Sequence, residues 1–396
     1  MKIRLGVIFG GESVEHEVSI ISAIQAMENL NKDKYEIVPI YIAKDKIWYT
    51  GHPLMDVELY KDFENNKKYI SRVNLYKTEN GFYLQKTTGL FRKNITDIDV
   101  ILPVVHGNNI EDGTLAGLLE TIGIPYVGSH VIGSAIGQDK VIMKQVLASA
   151  GLPIVDYIWF FDNEYIEDKS IIINNIKKLG YPVVVKPATL GSSVGITYVK
   201  NEKDIESAIE EAISYDTKIV VEKAVNNLVE VNSSVLGNYE FQHVTPLEEV
   251  MGIDEILSYN DKYLSGSKGS KSSKGMASTN RIIPARISKK LTDDIIETSK
   301  KVFKLFNLSG VCRIDYLIDS KSNKFYVNEP NTCPGSLSFY LWKEAGLSYS
   351  ELLDEMISIA IKEYKNKQKK IMSFESNILE GYNGSKGCKG LKGLKK

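Results

Sequence analysis

Asp315, Glu329 and Asn331 carry the most chemistry per residue in this chain, within 311–336, VCRIDYLIDSKSNKFYVNEPNTCPGS. Two carboxylates and an amide carbonyl form a hard-oxygen set. Such a set suits Mg²⁺, with Mn²⁺ as an alternative, because these ions prefer oxygen and complete their shells with water and substrate phosphates. The stretch is predicted to form two short strands, 311–318 and 324–328, joined by a polar turn at 319–323. Asp315 then lies in the first strand, while Glu329 and Asn331 follow the second, so all three converge at one end. Arg313, two residues before Asp315, shares its face of the strand and can neutralise an anion beside the metal. A few acids on a hairpin are ordinary taken singly. The whole set, closed by Pro334 and Gly335, points to a site.

Other positions must be brought to that hairpin. The strand YPVVVK at 181–186 ends in Lys186 and enters the loop 187–195, PATLGSSVG, whose small residues let backbone N–H groups approach a phosphate. Asp139 is a fitting N-cap for a helix through residue 150, with Gly151 and Pro153 as stop signals, which places Lys140 in the first turn. A strand over 99–105 runs into His106, which either touches substrate or is held by a loop hydrogen bond. The opening MKIRLGVIFGG reads as a buried strand and glycine turn before a helix from residue 19 to about 30, the start of a parallel α/β domain. GGESVEHE lacks the spaced third glycine of a dinucleotide fingerprint. The segment 44–95 reads as irregular and charged. A Gly/Ser/Lys-rich loop over 258–280 has the composition of a mobile lid, and Ser348 and Glu351 have capping-box spacing before a helix from about 350.

A chain of 396 residues exceeds one core, and two or three domains are expected. The formal charge of −1 argues against a nucleic-acid protein. Residues 362–396 hold ten Lys and three Glu, so a basic tail of +7 follows a body of −8. Three cysteines are too few for a disulfide framework and fit a reducing compartment, the cytoplasm. The first apolar run stops at Gly10 and Gly11, unlike a signal peptide, and no stretch is long enough to span a membrane.

Eight segments in order resemble the D-alanine:D-alanine ligases of the ATP-grasp superfamily: GGESVEHEVS at 10–19, HGNNIEDGTLAG at 106–117, PYVGS at 125–129, KPATLGSSVG at 186–195, EKAVNNLVEVNSSVLG at 222–237, DKY at 261–263, RID at 313–315 and NEPNTCPG at 328–335. The resemblance implies an α/β, three-domain ATP-grasp fold with an N-terminal parallel α/β domain. The parts would be 1–137 on the first-substrate side, 138–227, 228–365 with the metal site and lid, and a tail at 366–396. ATP would lie between the second and third. Lys140, Lys186 and Lys262 would bind ATP phosphates, Gly191 and Ser193 would close over them, Glu222, Lys223 and Val225 would meet the adenine, and Glu230 the ribose. Asp315, Glu329 and Asn331 would hold two Mg²⁺ ions. Glu15, Ser192 and Tyr263 would orient the first amino acid and anchor the lid, and Arg313 with the Gly335 N–H would face the oxyanion. His106, Ser338 and Leu341 would line the substrate side.

The resemblance implies that two D-alanines are joined with ATP through an acyl phosphate, for peptidoglycan synthesis, by a cytoplasmic enzyme open to homodimerisation. The departures are local. Ile110 and Ala116 stand where the family usually has Gly and Gln, and Leu337 and Tyr340 where Thr and Ser usually hold the second substrate's carboxylate. An acceptor such as D-serine or D-lactate therefore competes with D-alanine, and Tyr263 favours an amine over D-lactate. A non-catalytic ATP-binding regulator is the reading from another class. The retained metal and phosphate residues oppose it.

Overall fold

A computed structural model describes residues 2–89, 93–251, 281–373 and 376. Lys262, Tyr263 and the expected lid at 258–280 lie outside the described residues, as does most of the expected tail. Residues 1–361 form one compact unit, and 362–396 are a second.

The first sheet has strand order β6-β5-β4-β3-β2-β1-β7. Its parallel heart is β1 (Ile3–Gly10) between β2 (Tyr35–Ile42) and β7 (Val100–Val105). These strands are near-continuous apolar runs because helices cover a parallel sheet. Helix α1 (His16–Asn29) begins three residues before the predicted start. The region 44–95, expected to be irregular, instead adds β3 (Trp48–Thr50), β4 (Ser71–Thr78), β5 (Gly81–Lys86) and β6 (Asn94–Ile98) as an antiparallel extension. Its strands bury only part of one face, so their apolar alternation is weak in sequence.

The second sheet is antiparallel, β10-β9-β11-β8, from β8 (Tyr157–Phe161), β9 (Val183–Pro187), β10 (Thr197–Val199) and β11 (Lys218–Lys223). The third runs β15-β14-β12-β16-β17, with β13 (Gln242–Val244) beside β12. It comprises β12 (Leu228–Gly237), β14 (Glu248–Val250), β15 (Arg281–Ile282), β16 (Gly310–Asp319) and β17 (Lys324–Asn331). Thus Glu329 and Asn331 lie within the second hairpin strand and do not follow it, because Glu329 and Asn331 pair with Asp315 and Arg313.

Cores bind these layers. Leu5 and Phe9 share an apolar cluster with Leu352, Leu353, Met356 and Ile357 of the helix Tyr349–Gln368, so the two ends of the unit pack together. The capping box of that helix forms: Ser348 N–H donates to Glu351 at 2.9 Å, and Glu351 N–H to Ser348 Oγ at 3.3 Å. Met143 and Leu147 join Val231, Ile314 and Tyr316, fixing the helix Lys140–Ser149 against the third sheet. At the mouth of β16, Gly310 has φ 75°, and a Cβ there would lie 3.2 Å from the Gly128 Cα, so two backbones meet closely in a conformation that favours glycine.

Candidate active site

Burial alternates along β16. Ile314, Tyr316 and Ile318 enter the core, while Arg313 and Asp315 take the other face, as a period of two requires. The Arg313 guanidinium grips Asp315 with two parallel bonds, Nε to Oδ1 and Nη2 to Oδ2, each 2.7 Å. Asn331 Nδ2 donates to Asp315 Oδ2 at 3.1 Å. Asp315 pairs with Glu329 but Tyr316 with Val327, so Asn328 is an extra residue, a bulge that re-aims the side chains around it. Glu329 Oε2 lies 3.5 Å from Lys140 Nζ. Both carboxylates therefore face a cationic group, and the strand pairing sets them beside Asn331 as oxygen donors of the kind that Mg²⁺ takes.

Asp139 caps the helix Lys140–Ser149, accepting from the N–H groups of Val141 and Ile142 at 2.9 and 3.0 Å. Lys140 follows in the first turn, and its Nζ donates to the Leu190 carbonyl at 2.5 Å. One helical turn on, Lys144 is fully buried, 3.0 Å from Glu222 Oε1, while Lys186 Nζ donates to Glu222 Oε2 at 2.7 Å and to Asn328 Oδ1 at 3.3 Å. Burial raises the Glu222 carboxyl, but the two ammonium groups together outweigh it and hold it down at about 2. Two lysines on one carboxylate leave this dry corner net positive, which suits a polyphosphate.

The loop after β9 reaches the first sheet. Ser192 and Ser193 adopt left-handed φ of 53° and 60°, and Ser192 Oγ donates to Glu15 Oε1. Gly191 lets the loop come close, since a Cβ there would sit 2.8 Å from Glu15 Oε2. Gln138 bridges from the other side, donating to Asn108 Oδ1 at 2.7 Å and to the Thr189 carbonyl at 2.5 Å.

On the floor of the cleft, His106 bonds through Nε2 to Ser22 Oγ at 3.1 Å, and burial lowers it to about 4, so it is neutral at pH 7. Ser22 Oγ also accepts the Ser336 N–H at 3.0 Å. That contact pins a turn in which Ser336, Leu337 and Ser338 have φ of 49°, 53° and 51°, a costly run for residues with a Cβ. Glu111 accepts from the N–H groups of Gly107 and Cys333, both at 2.9 Å, and from Thr332 Oγ1 at 3.2 Å. Burial, then the neighbouring Glu15 charge, push its carboxyl up to about 8 against those donors.

One cleft is lined by Glu15, His106, Lys140, Gly191, Ser192, Glu230, Arg313, Asp315, Glu329, Asn331 and Gly335, so the structure gathers most of the expected residues. Lys186 and Glu222 sit just behind it. Lys223 points away, with Nζ on the carbonyls of Gly180 and Tyr181, so any contact from it to a base in the cleft would come through the backbone. Ser193 and Val225 are partly buried and not in the lining. Ser338 and Leu341, expected on the substrate side, are fully buried and are not among the residues that line the cleft, where Tyr340 stands. Glu111, Lys144, Glu248 and Arg281 also escaped that reading. Lys144 alone carried a signal, its spacing of four from Lys140 on one helix face.

Three sheets folded around a cleft of lysines and acidic side chains define an ATP-grasp protein, and the likeness to solved structures agrees. The chain matches the D-Ala:D-Ser ligase VanG of Enterococcus faecalis with TM-score 0.76 and 31% identity, covering 91% of this chain and 100% of that one. It matches the D-alanine-D-alanine ligase of Coxiella burnetii with TM-score 0.76 and 28% identity, covering 93% and 96%. Family models for the D-ala D-ala ligase N-terminus and C-terminus match residues 4–129 and 146–358, and the chain belongs to that family. The D-alanine--D-alanine ligase of Thermosipho melanesiensis is 39% identical over 380 residues, 96% of this chain and 98% of that protein.

Proposed function

We propose that this protein joins two D-alanines in an ADP-forming reaction that uses ATP, providing D-alanyl-D-alanine for peptidoglycan. The observation that carries the reading is the single cleft in which Arg313, Asp315, Glu329 and Asn331 face Glu15 and Ser192. In it, a carboxylate oxygen of the first D-alanine attacks the γ-phosphorus of ATP, ADP departs, and an acyl phosphate forms. The free amine of the second D-alanine then attacks the acyl carbon, inorganic phosphate leaves, and the amine sheds a proton.

The reading gives each residue a part. Glu15, fixed by Ser192, takes the first ammonium. Lys140 and Lys186 offset the charge on the phosphates, and Glu230 meets the ribose. Arg313 and the Gly335 N–H face the oxyanion of the tetrahedral intermediate. Asp315, Glu329 and Asn331 would hold Mg²⁺, which when bound neutralises the phosphoryl oxygens. Exclusion of water protects the acyl phosphate, and we assign that task to the segment 258–280 with Lys262 and Tyr263. The reading also carries the three-part division at 137, 227 and 365, a cytoplasmic setting and a homodimer as working assignments. No described helix is long and apolar enough to cross a membrane.

Mass spectrometry of products from ATP with D-alanine, D-serine and D-lactate tests the reading. D-alanyl-D-alanine, ADP and phosphate are expected, and ester as the main product at about pH 7.5 and above would refute it. Glu329→Gln should abolish phosphate release and leave the circular dichroism unchanged. Near-normal turnover with unchanged Mg²⁺ dependence would remove Glu329 from the metal set.

A further inference from the structure

We propose that Asn108 and Gln138 are positioning residues that hold the loop 187–195 docked against Glu15, through Thr189. This rests on the ligase reading above and deepens it, because the nucleotide and the first D-alanine then depend on one and the same loop position.

Three side chains meet at Thr189, and the direction of each hydrogen bond follows from two groups that can only accept, its carbonyl and a carboxylate. The carbonyl takes one hydrogen of the Gln138 amide at 2.5 Å, and Asn108 Oδ1 takes another at 2.7 Å. Asn108 Nδ2 then donates to the Thr189 hydroxyl at 3.3 Å. That hydroxyl donates onward to Asp216 Oδ2 at 2.8 Å, which also accepts the Thr189 N–H at 2.8 Å. Neither amide can be turned over without setting like against like, so the set has one arrangement.

Its members come from different places. Asn108 follows β7 of the first sheet, Gln138 ends the helix Val131–Gln138, and Asp216 precedes β11 of the second sheet. Asp216 ties the loop to its own sheet, whereas Gln138 and Asn108 tie it across to the first. Three residues on, Ser192 reaches Glu15 with φ of 53°, followed by Ser193 at 60°. Such backbone is kept only where the surroundings over-determine it, and the crossing bonds at Thr189 supply that constraint from residues the reaction leaves unused.

Both ligands select the docked loop. Phosphates take its N–H groups, and the first ammonium takes Glu15 as Ser192 holds it. With the crossing bonds in place, the loop is docked at little cost to either ligand. Without them each ligand must restore the loop, unless the other has already done so, and the same factor appears in both affinities.

Calorimetry with a non-hydrolysable ATP analogue and Mg²⁺, without D-alanine and at saturating D-alanine, tests this. Gln138→Met keeps the length and removes both donors. Its nucleotide Kd without D-alanine should rise by roughly 5- to 100-fold, as the loss of two hydrogen bonds implies. At saturating D-alanine it should return close to the wild-type value measured in the same way. Asn108→Ala should show the same pattern more weakly, since Gln138 keeps its bond to the Thr189 carbonyl, and it carries the test if Gln138→Met does not fold. An affinity lost equally with and without D-alanine would mean a local defect at the nucleotide and overturns the proposal, as does unchanged affinity in both variants. A wild-type protein that makes no D-alanyl-D-alanine would instead strike the ligase reading itself.

Discussion

Glu222, only 2% exposed, holds Lys144 and Lys186 on its two oxygens. Removing its charge would strand two ammonium groups in a dry place, which costs about 3–5 kcal/mol. Glu222→Gln should therefore melt well below the wild-type protein. The pH dependence has a definite sign. The folded carboxyl titrates at about 2, below its ordinary 4.5, so its contribution is present above pH 4.5 and is lost as pH falls toward 2. Urea unfolding across that window should show the gap between wild type and Glu222→Gln closing as pH falls, and a constant gap would reject the ionised pair. The residue types and spacing of Asp315, Glu329, Asn331, Lys140 and Lys186 made them readable in sequence, because each stands on the hairpin, at the end of a strand or in a first helical turn. Glu111, Glu248 and Arg281 were not readable. Their partners lie 222, 92 and 33 positions away, and a charged residue reads as solvated until the fold supplies those partners.

Among the elements, the left-handed turn at 336–338 is tied to α1 through Ser22 and through Gln25, whose Oε1 accepts from Ser336 Oγ at 2.7 Å. Ser22 of α1 accepts the Ser336 N–H and contacts His106, so helix, strand end and turn share that atom. Ser22→Ala leaves a buried N–H without its acceptor, at a cost of about 1–3 kcal/mol. It also frees the turn beside Gly335, whose N–H we assign to the oxyanion. A lower Tm together with a fall in kcat, at little change in the KM for ATP, is the expected outcome. A lower Tm with unchanged kcat would mean that the turn positions nothing. The hairpin of β16 and β17 was legible because it alternates core and polar residues around a polar turn. Its bulge was not, since an extra residue at Asn328 leaves no mark in composition, and so Glu329 and Asn331 were read as lying beyond the strand. The antiparallel extension over 48–98 failed for a related reason: half-exposed strands carry charge on one face and too few apolar residues on the other.

Taken whole, the cleft is assembled from all three sheets, with Glu15 following β1, Gly191 and Ser192 following β9, and Asp315 and Glu329 on β16 and β17. A ligand that fills it binds only the assembled form and should raise the melting temperature. At 100 times Kd the gain is about 2.7 kcal/mol. A non-hydrolysable ATP analogue with Mg²⁺ should thus shift Tm upward by several degrees, and EDTA should cancel most of the shift. A shift untouched by EDTA would detach the acidic set from nucleotide binding. The contact between Gly310 and Gly128 has a consequence for mutational paths through this fold. Where two side chains collide, one can shrink to admit the other, so a harmful change can be rescued by a second. Here both positions are already at the minimum, and no replacement at 128 can make room for a methyl at 310. The pair is therefore closed to compensation by trimming a side chain: a lineage that loses the glycine at 310 can recover only through a small shift of the backbone at 128, or by reverting.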